Sequence, residues 1–166
     1  ADFQKGDLVQ RIVRAMERTG VSPRHLVVEI TEQVFMGRSK DGVARTIAAL
    51  RERGICVALD DFGTGFSTLS YLQKYDIDFI KIDRSFVGDL LTDPDDRAIV
   101  HSVVVLGHSL GMRVVAEGVE DAGQLHQLQQ MDVDEVQGYL LSKPLPPEEL
   151  ENWLRRVHSL GLPHLQ

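Results

Sequence analysis

Short β-branched apolar runs alternate with longer amphipathic stretches along almost the whole chain, and this alternation most narrows the folds open to it. Residues 26–30, 55–59, 79–82 and 113–116, with a short piece around Val136, read as strands. Residues 42–53, 67–75, 95–110 and 122–130 carry apolar side chains at helical spacing, as in Val43, Ile47 and Leu50. A further helix is predicted over 8–18, before the first strand, and another over 147–157, with Pro147 near its N-terminus. Gly20, Gly54 and Gly111 follow helical stretches, where a left-handed residue commonly ends a helix. Near-continuous apolar strands separated by helices predict an α/β protein whose parallel sheet is covered on both faces. An open doubly wound sheet and a (β/α) barrel both satisfy the pattern, and periodicity does not separate them. No fixed-period repeat, low-complexity tract or internal linker interrupts the chain, so residues 1–166 read as one domain.

Acidic residues exceed basic ones by 25 to 18, a net charge of −7 that argues against binding a nucleic-acid polymer. A small phosphorylated ligand remains compatible if a cation stands between it and the acidic groups. Cys56 is the sole cysteine, so no disulfide forms within the chain, and a reducing, cytoplasmic setting fits. The most apolar stretch, 99–115, is broken by His101, Ser102, His108 and Arg113, and no run reaches membrane-spanning length. The chain opens on Ala1-Asp2-Phe3, with neither an initiator Met nor a basic-then-apolar leader. It reads as a cut through a longer protein, whose missing upstream segment could anchor it to a membrane.

The carboxylates fall at strand ends. Glu29 closes the first strand, Asp60-Asp61 follow the second, Lys81 and Asp83 end the third, and Glu117 ends the fourth. Parallel strands share one C-terminal edge, so four carboxylates or more and one ammonium are predicted to meet on one face. A single charge there can simply mark where a buried strand emerges into water. The adjacent pair Asp60-Asp61 argues otherwise, because converging carboxylates raise one another's pKa unless a cation neutralises them. Hard oxygen ligands suit Mg²⁺ or Mn²⁺ rather than zinc. The six histidines form no i, i+4 pair. The stretch Phe62-Gly63-Thr64-Gly65-Phe66-Ser67 that follows permits close backbone approach but matches neither a P-loop nor a dinucleotide fingerprint.

Taken in order, Glu29-Ile30-Thr31-Glu32, Asp60-Asp61-Phe62-Gly63-Thr64-Gly65, Lys81-Ile82-Asp83, Ala116-Glu117-Gly118-Val119-Glu120 and Gln137-Gly138-Tyr139 resemble the motif series of EAL domains. The resemblance runs from about Leu8 to Trp153. It implies a TIM-like barrel that hydrolyses cyclic di-GMP to linear pGpG with two bound Mg²⁺ or Mn²⁺ ions activating water. It implies Glu29 as a ligand of the first metal, Asp60 as a bridge between both, and Asp61 and Glu117 as ligands of the second. Lys81 is then implied beside the attacking water or scissile phosphate, and Glu117 also as general base. The resemblance also implies that Glu32 and Glu120, with Thr64 and Gly65 of the glycine-containing loop, support the site, and that Gln137 contacts substrate. A homodimer through the loop from Asp60 to Ser67 and the helix after Lys81 is implied as well, together with an upstream sensor or synthase domain.

The family's Glu-Ala-Leu motif and its Asn-bearing strand are absent from this chain, and each supplies a ligand to the first metal. Only about five of the eight barrel strands are predicted. The expectation is therefore an incomplete TIM-like barrel, weak or inactive alone and a phosphodiesterase in the complete protein. The alternative is a non-catalytic cyclic-di-GMP-binding or regulatory module. Against it, every catalytic position within the chain keeps the family's residue.

Overall fold

Five strands build one sheet in the order β1-β2-β3-β4-β5, and every neighbouring pair is parallel. They are β1 Val27–Thr31, β2 Cys56–Phe62, β3 Phe79–Ile82, β4 Arg113–Glu117 and β5 Glu135–Gln137. The helices are α1 Leu8–Thr19, α2 Lys40–Arg51, α3 Leu69–Lys74, α4 Arg84–Gly88, α5 Pro94–Ser109, α6 Ala122–Gln130 and α7 Pro147–Ser159. The computed structural model describes residues 7–36, 40–63 and 69–159. No helix among the described residues is long and apolar enough to cross a membrane.

Sequential order resolves the choice left open above. A doubly wound sheet reverses its strand order midway and so receives helices on both faces. Here each crossover advances the sheet by one strand in the same direction, and right-handed crossovers then place every helix on one side. The winding is that of a (β/α) barrel. The five described strands do not close on themselves and form an arc of such a barrel.

The predicted covering of both faces is corrected by the burial of alternate residues. Ile30, Val57, Leu59, Ile80, Ile82, Val114 and Ala116 point to the helical side and are buried with Ile47 and Leu50 of α2, Val87 of α4, Val100 and Val104 of α5, and Leu128 of α6. Fully burying one such side chain contributes about 1.5–3 kcal/mol relative to leaving it in water. Gly107 lets α5 approach closely, since a Cβ there would stand 2.7 Å from Val114 Cγ2. On the opposite face Ala58 and Phe79 are buried outside that cluster, while Val27 is 44% exposed. The guanidinium of Arg113 lies 4.1 Å over the Phe79 ring and pairs with Glu135 at 3.0 Å. This face carries the polar chemistry, and strand composition alone could not show it.

At the N-terminal edge, two aspartates hold the sheet together. Asp78, just before β3, accepts the Val57 N–H at 2.8 Å and pairs with Arg51 at the end of α2 at 3.2 Å. Asp134, just before β5, accepts the Val114 N–H at 2.7 Å and pairs with His108 in the last turn of α5 at 2.9 Å. The same device occurs twice, tying each strand to the helix before it and the loop after it. Gly20, Gly54 and Gly111 adopt the predicted left-handed conformation, with φ of 72°, 77° and 75°.

Candidate active site

The C-terminal edge is built around an irregularity. β2 and β3 pair in register through Ala58–Phe79 and Leu59–Ile80, but Phe62 then pairs with Ile82. Two residues of β2, Asp60 and Asp61, therefore oppose one of β3, Lys81, which is a β-bulge. Asp61 absorbs the extra residue at φ 56°, a left-handed conformation that a short polar side chain tolerates better than a branched one. In a regular pleat successive side chains face opposite sides. With the bulge, carboxylate oxygens of Asp60, Asp61 and Glu117 all lie within 4.8 Å of one another. Burial, and after it the charges of Asp60 and Asp83, push the Asp61 carboxyl above the usual range.

Lys81 is the centre of the charge cluster. It is only 6% exposed, and its Nζ lies 2.6 Å from Glu29 Oε1, 3.0 Å from Asp60 Oδ1 and 2.6 Å from Glu117 Oε1. Burial alone would lower its pKa, but hydrogen bonds to Glu117 and Glu29 and the contact with Asp60 outweigh that and hold it above its ordinary value. Four strands, β1 to β4, thus deliver three carboxylates and their counter-ion to one point.

Asp83 departs from the predicted cluster. It lies one residue beyond β3 and caps α4, accepting from Ser85 N at 2.9 Å and Ser85 Oγ at 2.6 Å. The Ser85 bonds hold its carboxyl below the usual range despite opposing burial. A depressed carboxylate pKa stabilises the fold above the unfolded pKa, and that contribution is lost as pH falls through the folded one. Asp83→Ala is therefore expected to cost about 1 kcal/mol at neutral pH. In urea titrations its gap from wild type should narrow in acid below the ordinary carboxylate range. A gap of constant size down to about pH 2 would exclude a role for the charge.

The remaining predicted residues are placed as follows. Glu32 opens a 3₁₀ turn, Glu32–Met36, directly after β1. Gln137 ends β5 opposite Glu117, with its side chain exposed and its carbonyl accepting the Val119 N–H at 3.1 Å. Glu120 is exposed, and its backbone N–H donates to Gln124 Oε1 at 2.8 Å. Thr64 and Gly65 lie outside the described residues. Two glycines pack the site's loops together: a Cβ on Gly118 would meet Arg84 Cβ at 2.5 Å, and one on Gly138 would fall into the Val119 backbone. Sequence reasoning missed Gln124, although the pattern Asp121-x-x-Gln124 is a capping-box signal it could have used.

The donor set fits a divalent metal. It is all carboxylate oxygen, as Mg²⁺ or Mn²⁺ prefers. Asp60 Oδ1 is buried within it, and the contact it makes among the described residues is the 3.0 Å approach of the Lys81 ammonium. Converging carboxylates of this kind are stabilised by a cation and strained without one.

Comparison with known proteins agrees with this geometry. The sequence profile of the EAL domain matches residues 1–144. A cyclic di-GMP phosphodiesterase of Pseudomonas aeruginosa, NbdA, is 37% identical over 166 residues, which is 100% of this chain and 21% of NbdA. The structure of the PaMucR phosphodiesterase in complex with c-di-GMP superimposes with a TM-score of 0.83 at 39% identity, covering 89% of this chain and 60% of that one. BlrP1 of Klebsiella pneumoniae, solved as a manganese/c-di-GMP complex at pH 9.0, aligns with a TM-score of 0.78 at 35% identity, over 86% of this chain and 36% of that one. The chain spans about a fifth of the length of the curated relatives it matches. With its motifs in family order, its strand-end carboxylates gathered on one face and its profile match over most of its length, this chain belongs to the EAL-domain family.

Proposed function

We propose that this chain carries the catalytic face of a phosphodiesterase that hydrolyses cyclic di-GMP to linear pGpG. The observation that carries the reading is Lys81, a buried ammonium held at 2.6–3.0 Å by carboxylates from β1, β2 and β4, beside the acidic triad of Asp60, Asp61 and Glu117. The names of NbdA and PaMucR support the substrate, and the manganese complex of BlrP1 supports a divalent cofactor.

Glu29, Asp60, Asp61 and Glu117 would hold Mg²⁺ or Mn²⁺, two ions by our reading. When bound, such ions lower the pKa of water and neutralise charge on the phosphodiester. Lys81 supplies a fixed positive charge where phosphoryl oxygens gain electron density. Glu117, bonded to Lys81, belongs both to the ligand set and to the group that accepts the proton of the attacking water. Water adds to one phosphorus, one P–O ester bond breaks, and the leaving sugar oxygen takes up a proton. Gln137, at the end of β5, contacts the dinucleotide, and Glu32, Glu120, Thr64 and Gly65 support the site. A homodimer through the loop of residues 60–67 and α4, and a sensor or synthase domain upstream, complete the proposal.

The test is turnover of cyclic di-GMP by the intact protein with Mn²⁺, Mg²⁺ or a chelator. The expected outcome is pGpG formation that the chelator abolishes. Tight dinucleotide binding with no turnover under any metal condition would instead identify a receptor module.

A further inference from the structure

We infer that Gln124 is a positioning residue that sets the spacing between Lys81 and Glu117. It acts by tying the helix after β3 to the loop after β4, and the inference rests on the function proposed above. Lys81 and Gln124 are the two buried polar side chains among the described residues, and Gln124 is 5% exposed. Burying an amide is costly unless its hydrogen bonds are made, and here both ends of the amide are used. Oε1 accepts the backbone N–H of Glu120 at 2.8 Å and of Asp121 at 3.2 Å. Nε2 donates to the Gly88 carbonyl at 3.2 Å.

The acceptor bonds close a capping box whose other half is Asp121, which accepts from Gly123 N at 2.7 Å and Gln124 N at 2.9 Å. They would be made in any well-capped helix. The bond to Gly88 is not part of capping. Gly88 ends α4, which follows Lys81 with only Ile82 and Asp83 between, whereas Glu120 lies three residues past Glu117. One side chain therefore bridges the two segments that present the site's ammonium and its facing carboxylate. The same two segments touch nearer the site, where Gly118 packs against Arg84. The β3–β4 ladder sets the backbone register up to Ile82 and Ala116, and past its end the Gly118–Arg84 contact and the Gln124 bridge fix how the 2.6 Å Lys81–Glu117 pair is presented.

The experiment compares Gln124→Glu and Gln124→Leu with wild type in the intact protein. Gln124→Glu keeps the two acceptor bonds and sets a carboxylate against the Gly88 carbonyl, so it removes the bridge and leaves the cap. It is expected to melt within a few degrees of wild type. Its kcat is expected to fall about tenfold or more, because misplacing a catalytic group by even about 1 Å is expensive. KM should stay within about twofold, since the buried amide is taken up by backbone groups, and Mn²⁺ should bind about fivefold more weakly by calorimetry as Glu117 leaves its co-ligands. Gln124→Leu should lose both cap and bridge, lowering the melting temperature as well. Should it fail to fold, Gln124→Glu decides alone. A folded Gln124→Glu protein with kcat and Mn²⁺ affinity within twofold of wild type overturns the inference. Absence of turnover in wild type would be a failure of the phosphodiesterase reading instead, and the Mn²⁺ titration would still decide the role of Gln124.

Discussion

Lys81→Met in the intact protein is expected to lower turnover of cyclic di-GMP by about 10²–10³-fold, the usual loss when one preorganised electrostatic group is removed from a transition state. A second consequence separates this residue from an ordinary catalytic lysine. Its ammonium is the counter-ion of Glu29, Asp60 and Glu117 at 2.6, 3.0 and 2.6 Å. Removing it leaves three carboxylates facing one another with Asp61 beside them. Breaking a buried ion pair from one side costs about 3–5 kcal/mol, and the lower end applies because the Glu29 side chain is half exposed. The metal-free variant should therefore melt well below wild type. Added Mn²⁺ should raise its melting temperature more than it raises that of wild type, because the ion no longer competes with an ammonium for the same oxygens. The raised pKa of Lys81 gives the matching pH behaviour. Its stabilisation is fully present below the unfolded lysine pKa and would be lost only in strongly alkaline solution. Near-wild-type kcat, or equal metal-free melting temperatures, would remove Lys81 from the centre of the site.

Asp60→Asn should have the next largest effect. The substitution keeps the shape of the bulge residue and removes the charge of the buried oxygen that faces Lys81 at 3.0 Å. A ligand at a hundred times its Kd stabilises the folded state by about 2.7 kcal/mol. Wild type should show a melting shift of that order with Mn²⁺, and Asp60→Asn should show little or none. Turnover is expected to fall by about 10²-fold or more, since the charge that gathers the cation is lost. An unchanged Mn²⁺ shift in the variant would place the metal centre away from the acidic triad.

How much of this was legible beforehand differs from residue to residue. The predicted strand over 79–82 matches β3, and the predicted helix over 122–130 matches α6. The predicted helix over 95–110 shifts by one residue, because Asp93 caps it and Pro94 starts it. The short helix α4 lacks any periodic pattern of its own and exists because Asp83 caps it and Val87 is buried beneath it. Strand-end positions correctly placed Glu29, Asp60, Lys81 and Glu117 at one edge, since a parallel sheet leaves no other arrangement. Asp83 lies near enough to that edge for its charge to act on Asp61, but its carboxylate caps the next helix instead of joining the acidic triad.

Local chemistry in the sequence was enough to settle the elements, the parallel sheet and the edge that gathers charge, because hydrophobic spacing, glycine stops and strand-end carboxylates act within a few residues. The motif series already implied the barrel winding that the strand order bears out, whereas tertiary structure alone decided the bulge that turns Asp61 toward Asp60 and the bridge from Gln124 to Gly88. Each of these depends on register and packing between segments far apart in the chain. No local pattern encodes such pairing until the strands have met.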